Sequence, residues 1–153
     1  MPLAIAGAMT SSDDLGRQSA VDLAIPSDLT AARRVQDDIE QLLRTYQYTD
    51  RDIFCIRLAL EEALVNAIKH GNQMDQTKTV RISYQIVSEV FEVRITDEGT
   101  GFDPSDVPDP TTAENLERPC GRGLMLMRHY MGEVSYNERG NSVWMRRQCN
   151  GAK

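Results

Sequence analysis

Three short groupings in this 153-residue chain combine residue types suited to a ligand site. The first, Asp97-Glu98-Gly99-Thr100-Gly101, has Asp-x-Gly-x-Gly spacing and follows the strand-like run Val90 to Ile95. A carboxylate at a strand end, followed by two glycines, can face a ligand with little steric cover. The glycine backbone lets a flat ring approach the main chain. The second grouping, Glu62-x-x-x-Asn66, falls upstream on a predicted helix, and His70 follows four residues later. The spacing i, i+4, i+8 puts Glu62, Asn66 and His70 in one stripe. The third, Gly121-Arg122-Gly123, opens another predicted helix, whose N-terminal amides and dipole favour phosphate. Each has an ordinary counterpart: Asp-x-Gly makes turns, and a polar helix stripe is often a solvated face.

The elements that must position these residues follow from periodicity. Val21 to Ile25 alternates and predicts a short strand ended by Pro26, with Ser27 as helix N-cap and Asp28 in the first turn. Ala31, Val35, Ile39, Leu42 and Leu43 predict a helix as far as about Tyr46. After the turn Tyr48-Thr49-Asp50, a second helix runs from about Asp50 to Lys69. Ile53, Ile56, Leu60, Leu64 and Ala67 form its core stripe, and Gly71-Asn72 stops it. Val80, Ile82, Tyr84 and Ile86 alternate with polar residues, and Ser88-Glu89 turns the chain into Val90 to Ile95. Ser-Glu is not a favoured two-residue turn, which leaves room for a longer loop. Residues 102–120 carry Pro104, Pro108, Pro110 and Pro119 without periodicity, and their place between two glycine motifs reads as a lid. A helix then opens at Gly123, with its methionines read as core. A hairpin follows from Val134 and Tyr136, through Glu138-Arg139-Gly140-Asn141, to Ser142 to Arg146. The expected fold is α+β: a two-layer sandwich with helices on one face of a mixed, mostly antiparallel sheet. Residues 19–148 form one domain, 1–18 a disordered tail and 149–153 a frayed end.

Composition narrows the function class. Hydrophobic residues at 41% and charged residues at 26% are ordinary globular values, so most of the chain folds around a core. The net charge of -6 argues against a binder of nucleic-acid backbone, which needs a basic face. No apolar run reaches the length of a membrane span, and the cytoplasm is the expected compartment. Cys55, Cys120 and Cys149 show no paired metal-ligand spacing, and Cys55 reads as a small core residue. His70 and His129 sit on different predicted helices, which disfavours zinc. A Walker A ending, Gly-Lys-Ser/Thr, is absent.

Glu62-Ala63-Leu64-Val65-Asn66-Ala67-Ile68-Lys69-His70-Gly71, Asp97-x-Gly99-x-Gly101 and Gly121-x-Gly123-Leu124 resemble the N, G1 and G2 boxes of the Bergerat-fold ATPases. That superfamily includes gyrase-type ATPases, histidine kinases and heat-shock chaperones. The compact length and the phrase Leu60-Glu61-Glu62-Ala63-Leu64-Val65-Asn66-Ala67 look most like its anti-sigma-factor serine-kinase branch. The resemblance covers residues 20–147, and three boxes in order are a far more specific signal than any one.

The resemblance implies ATP and Mg²⁺ as cofactors and assigns roles. Asp97 would accept a hydrogen bond from the adenine amino group, a donor that guanine replaces with a carbonyl. Asn66 would give its amide oxygen to Mg²⁺. Glu62 would take the proton of the attacking hydroxyl. His70, Gly99 and Gly101 would line the nucleotide site. Gly121, Gly123 and Leu124 would present main-chain amides to phosphate, while Arg122 either adds charge there or points to solvent. The implied protein sequesters a regulator such as a sigma factor and phosphorylates a small antagonist protein, and family members often form homodimers. A nucleotide-responsive binding module without phosphoryl transfer is the alternative; it would need Asn66 and Asp97 but not Glu62. No phosphoaccepting histidine region accompanies the boxes, which disfavours a sensor histidine kinase acting alone. One departure stands out: family members often place Gly-Thr before the last strand, the threonine near the adenine aspartate. Here Gly140 is followed by Asn141 and Ser142.

Overall fold

A computed structural model describes residues 20–99 and 119–149. Strand β1 (Val21–Pro26) leads into helix α1 (Leu29–Thr45) and then α2 (Asp50–Val65), which continues as a π-helical turn, Asn66–Gly71. Strands β2 (Thr79–Val87) and β3 (Val90–Thr96) follow, then helix α3 (Pro119–Met131) and strands β4 (Glu133–Tyr136) and β5 (Ser142–Gln148). The strands form one sheet in the order β1-β2-β3-β5-β4. The sequence anticipates a mixed sheet, yet every described pairing is antiparallel, because neighbouring strands meet through hairpins or reversed crossings.

Alternation along the strands sends one face into the core. Val80, Ile82, Tyr84 and Ile86 on β2 pack with Phe91, Val93 and Ile95 on β3 and with Val143 and Met145 on β5. Ile39 and Leu43 of α1, and Ile56, Leu60 and Leu64 of α2, close over them and are wholly buried. The α3 methionines divide: Met127 and Met131 join the core, whereas Met125 and Leu126 stay exposed.

Several local expectations change. Asp28, not Ser27, caps α1, its carboxylate accepting from the Thr30 and Ala31 N–H groups. A charged acceptor there also meets the helix dipole. Ser27 is buried instead, its hydroxyl donating to the Lys78 carbonyl at 2.9 Å. The β2–β3 loop has only two residues, with Ser88 and Glu89 at φ 49° and 70°. Left-handed conformations at both positions match the strand twist, and the hairpin holds them despite the side chains. Helix α3 starts at Pro119, not at Gly121 or Gly123, consistent with proline's fixed φ at a first helical position. Residues 102–118, the bulk of the segment read as a lid, lie outside the described residues, as do 1–19 and 150–153. Cys149, taken from the sequence as the start of a frayed end, is buried, and its N–H donates to the Glu89 carbonyl at 2.8 Å.

Register also carries Arg147 onto the inward face, opposite Phe91. Its guanidinium meets Asp52 of α2, with Nη2 and Nε 2.9 and 3.2 Å from Oδ1. Arg147 also donates to the Tyr130 carbonyl at the end of α3. Asp52 is 1% exposed and accepts from the Thr49 hydroxyl as well. Among the described residues, no helix is long and apolar enough to cross a membrane.

Candidate functional site

The three sequence groupings come from elements separated along the chain, and the structure brings two of them into contact. Helix α2 delivers Glu62 in its last turn, and Asn66 sits where α2 passes into the π-turn. The sequence reading runs a regular α-helix to Lys69; the wider turn replaces it from Asn66 onward. Such insertions occur often at functional sites, because the extra residue per turn re-aims the backbone. Glu62 and Asn66 are half-buried, and His70 is exposed. Burial pushes the Glu62 carboxyl above its ordinary range; repulsion from Glu61 adds to this and His70 offsets part of it.

Strand β3 ends at Thr96 and hands the chain to Asp97. Its carboxylate lies against the last residue of the π-turn. A Cβ built on Gly71 would stand 2.3 Å from the Asp97 Cγ and 2.4 and 2.6 Å from its oxygens. A Cβ on Gly99 would fall 2.1 Å from the Gly71 carbonyl oxygen. Two residues without side chains therefore make this junction. The Gly99 N–H donates to Asp97 Oδ1 at 2.8 Å. Burial raises the Asp97 pKa, while that hydrogen bond and the charges of Lys78 and Arg139 pull it back. The outcome is a half-buried carboxylate with one oxygen held and the other, among the described residues, free to accept from a ligand.

The β4–β5 turn closes the third side. Asn141 donates from Nδ2 to the Asp97 carbonyl at 3.0 Å, and its own carbonyl accepts the Asp97 N–H at 2.9 Å. Ser142 shares a 2.6 Å hydroxyl contact with Thr96. Where the Gly-Thr pattern would put a threonine near the carboxylate, this chain instead secures the main chain on both sides of Asp97. Arg139 reaches the Gly99 carbonyl at 3.4 Å. Because α3 starts at Pro119, only Gly121 and Arg122 of this grouping fall in its first turn, where amide N–H groups lack intrahelical acceptors, and Gly123 and Leu124 lie in the second. Gly101 lies outside the described residues.

Residues 25–147 match the family described as the histidine kinase-like ATPase domain. The chain belongs to this family. Among curated relatives, it is 28% identical over 103 residues to the serine/threonine-protein kinase BtrW of Bordetella bronchiseptica, covering 66% of this chain and 72% of that protein. It is 31% identical over 113 residues to the serine-protein kinase RsbW of Bacillus subtilis, covering 69% of this chain and 71% of the relative. The anti-sigma F factor of Clostridium perfringens is 29% identical over 108 residues, covering 67% and 76%. A crystal structure of RsbU and RsbW domains from Mycobacterium tuberculosis superimposes with a TM-score of 0.58 at 17% identity, over 86% of this chain and 34% of that one. That likeness bears on the fold alone, which is the α+β sandwich expected from the sequence.

In this histidine kinase-like ATPase domain, the charged and amide side chains of the candidate site stand out in the sequence, whereas part of their surroundings does not. Gly71 reads as a helix stop, and its contact with Asp97 has no local signal. Arg139 and Asn141 lay in a predicted turn. The family's Gly-Thr pattern points to that turn, and the pairing of β3 with β5 brings it beside Asp97.

Proposed function

We propose that this chain is an ATP-dependent serine/threonine protein kinase of the anti-sigma type. It sequesters a transcription regulator such as a sigma factor and phosphorylates a small antagonist protein to switch partners. It works in the cytoplasm as a homodimer, without direct contact to nucleic acid or membrane. The observation that carries this reading is the seating of the Asp97 carboxylate against Gly71, at the end of the helical segment that bears Glu62 and Asn66.

Each residue then has a task. Asp97 accepts the adenine amino hydrogen on its free oxygen, and being acceptor-only it disfavours the guanine carbonyl. Gly99 and Gly101 keep side chains out of the ring's way. The N-terminal end of α3, with Gly121 and Arg122 in its first turn and Gly123 and Leu124 just beyond it, receives phosphate, and His70 flanks the site. No group of three or more His, Cys, Asp or Glu suited to a metal occurs among the described residues. Asn66 offers one half-buried amide oxygen. That donor set suits Mg²⁺, which takes few protein oxygens and keeps phosphate and water as its other ligands. When bound, the ion neutralises phosphate charge. Glu62 accepts the proton of the acceptor serine or threonine hydroxyl. Its raised pKa makes it a stronger base than an exposed glutamate, which favours turnover over nucleotide binding alone.

The test is transfer of labelled phosphate from ATP to purified candidate antagonists, with calorimetry of Mg-ATP alongside. Glu62→Gln keeps size and hydrogen bonding but loses basicity. Its nucleotide affinity is expected to stay near wild type while transfer falls by about a hundredfold or more. Transfer at the wild-type rate removes Glu62 from the role of base. A wild-type protein that binds ATP but phosphorylates no candidate is a nucleotide-responsive binding module instead.

A further inference from the structure

We propose that Asn72 and Asn141 act together as positioning residues for Asp97, clamping its backbone from opposite sides and thereby setting the site's preference for adenine over guanine nucleotides. This rests on the reading of Asp97 as the adenine acceptor. The peptide unit joining Asp97 to Glu98 is trans, so its C=O and N–H point opposite ways. Asn141, from the β4–β5 turn, donates to that carbonyl at 3.0 Å. Asn72, just past the π-turn, accepts the Glu98 N–H on Oδ1 at 2.7 Å. The preceding peptide is fixed as well, through the Asp97 N–H on the Asn141 carbonyl at 2.9 Å. Both soft torsions of Asp97 are therefore pinned, and its carboxylate retains only side-chain rotation. Gly71 and the Gly99 N–H limit that rotation in turn.

Asn72 is built for this task beyond ending a helix. Ending the π-turn uses only its main chain, the N–H donating to the Ala67 carbonyl at 2.8 Å. Its side chain is wholly buried and satisfied on every side. Nδ2 donates to Ser27 Oγ and to the Thr79 carbonyl, both at 3.0 Å. The Ser27 hydroxyl passes its own hydrogen to the Lys78 carbonyl. The amide plane is thus anchored to the β1–α1 corner and the start of β2, which makes Oδ1 a fixed acceptor for Glu98. Discrimination between an amino group and a carbonyl depends on an acceptor that cannot swing away, so the clamp acts on selectivity as well as affinity.

The experiment measures ATP and GTP affinity by calorimetry, with the thermal midpoint by circular dichroism. Wild type is expected to prefer ATP. Asn141→Ala removes one clamp arm at a half-buried turn position. It is expected to keep the fold, lose about 3- to 10-fold in ATP affinity and shrink the ATP:GTP ratio by the same factor. Asn72→Leu is expected to shrink the ratio too. Asn72→Asp retains an acceptor for the Glu98 N–H and is expected to hold the ratio closer to wild type, although both Asn72 variants lower the midpoint. Should Asn72→Leu fail to fold, the Asn141→Ala ratio decides. An Asn141→Ala protein with wild-type ATP preference overturns the clamp. So does a folded Asn72→Leu protein that keeps that preference. A wild type that binds ATP and GTP equally instead overturns the reading of Asp97, and the clamp with it.

Discussion

The Cα of Gly71 packs against the carboxylate of Asp97, leaving no room for a methyl group between them. Gly71→Ala is therefore expected to push the Asp97 side chain out of its seat and break the alignment of the helical and strand-end halves of the site. Loss of a charge-assisted hydrogen bond corresponds to about 1.5–3 kcal/mol, or about 10- to 100-fold in ATP affinity. Calorimetry of ATP binding, with circular dichroism as a check on folding, measures this. Wild-type affinity in a folded Gly71→Ala protein would show that the close packing has no part in binding.

With Glu62 as the proposed base, phosphate transfer takes its acid pH dependence from this carboxyl. Its carboxyl is raised by burial first and by Glu61 second. A base must be ionised to act, so transfer is lost as pH falls through this raised value. The acid limb is expected above the range of an ordinary glutamate. Glu61→Gln removes the second cause and is expected to move the limb toward lower pH, with nucleotide affinity unchanged. Glu61 also accepts a hydrogen bond from Gln36 Nε2 at 2.9 Å, a contact that a glutamine can keep. A pH–rate profile at saturating ATP measures both, and a limb that ignores Glu61→Gln would separate the profile from Glu62.

Stability depends on a different pair, far along the sheet from Asp97. Arg147→Met leaves Asp52 buried without its guanidinium and removes the donor to the Tyr130 carbonyl. Breaking a buried pair from one side costs about 3–5 kcal/mol. Chemical denaturation is expected to show that loss. The paired change Asp52→Leu with Arg147→Met is expected to recover much of it, because no charge is then left unpaired.

Elements whose signals are local can be read from residue order alone. Period-2 alternation specified β2 and β3, because each presents one face to the helices. Helical spacing of Ile53, Ile56, Leu60 and Leu64 specified α2. The boxes holding Glu62, Asn66 and Asp97 were legible because residue type and short spacing define them, and they led to the family that the chain matches. Tertiary structure decided what depends on distant chain segments meeting. Ser27 reads as a cap but is drawn into the interior by Lys78 and Asn72, leaving Asp28 to cap the helix. Gly71 reads as a stop, and only the arrival of Asp97 makes its missing side chain necessary. Arg147 falls just past the last strand read from the sequence, Ser142 to Arg146, and the register with Phe91 carries it inward to Asp52. The physical reason is common to all three: hydrogen bonds and steric fit act over a few ångströms, and sequence distance says nothing about which groups the packed sheet brings that close.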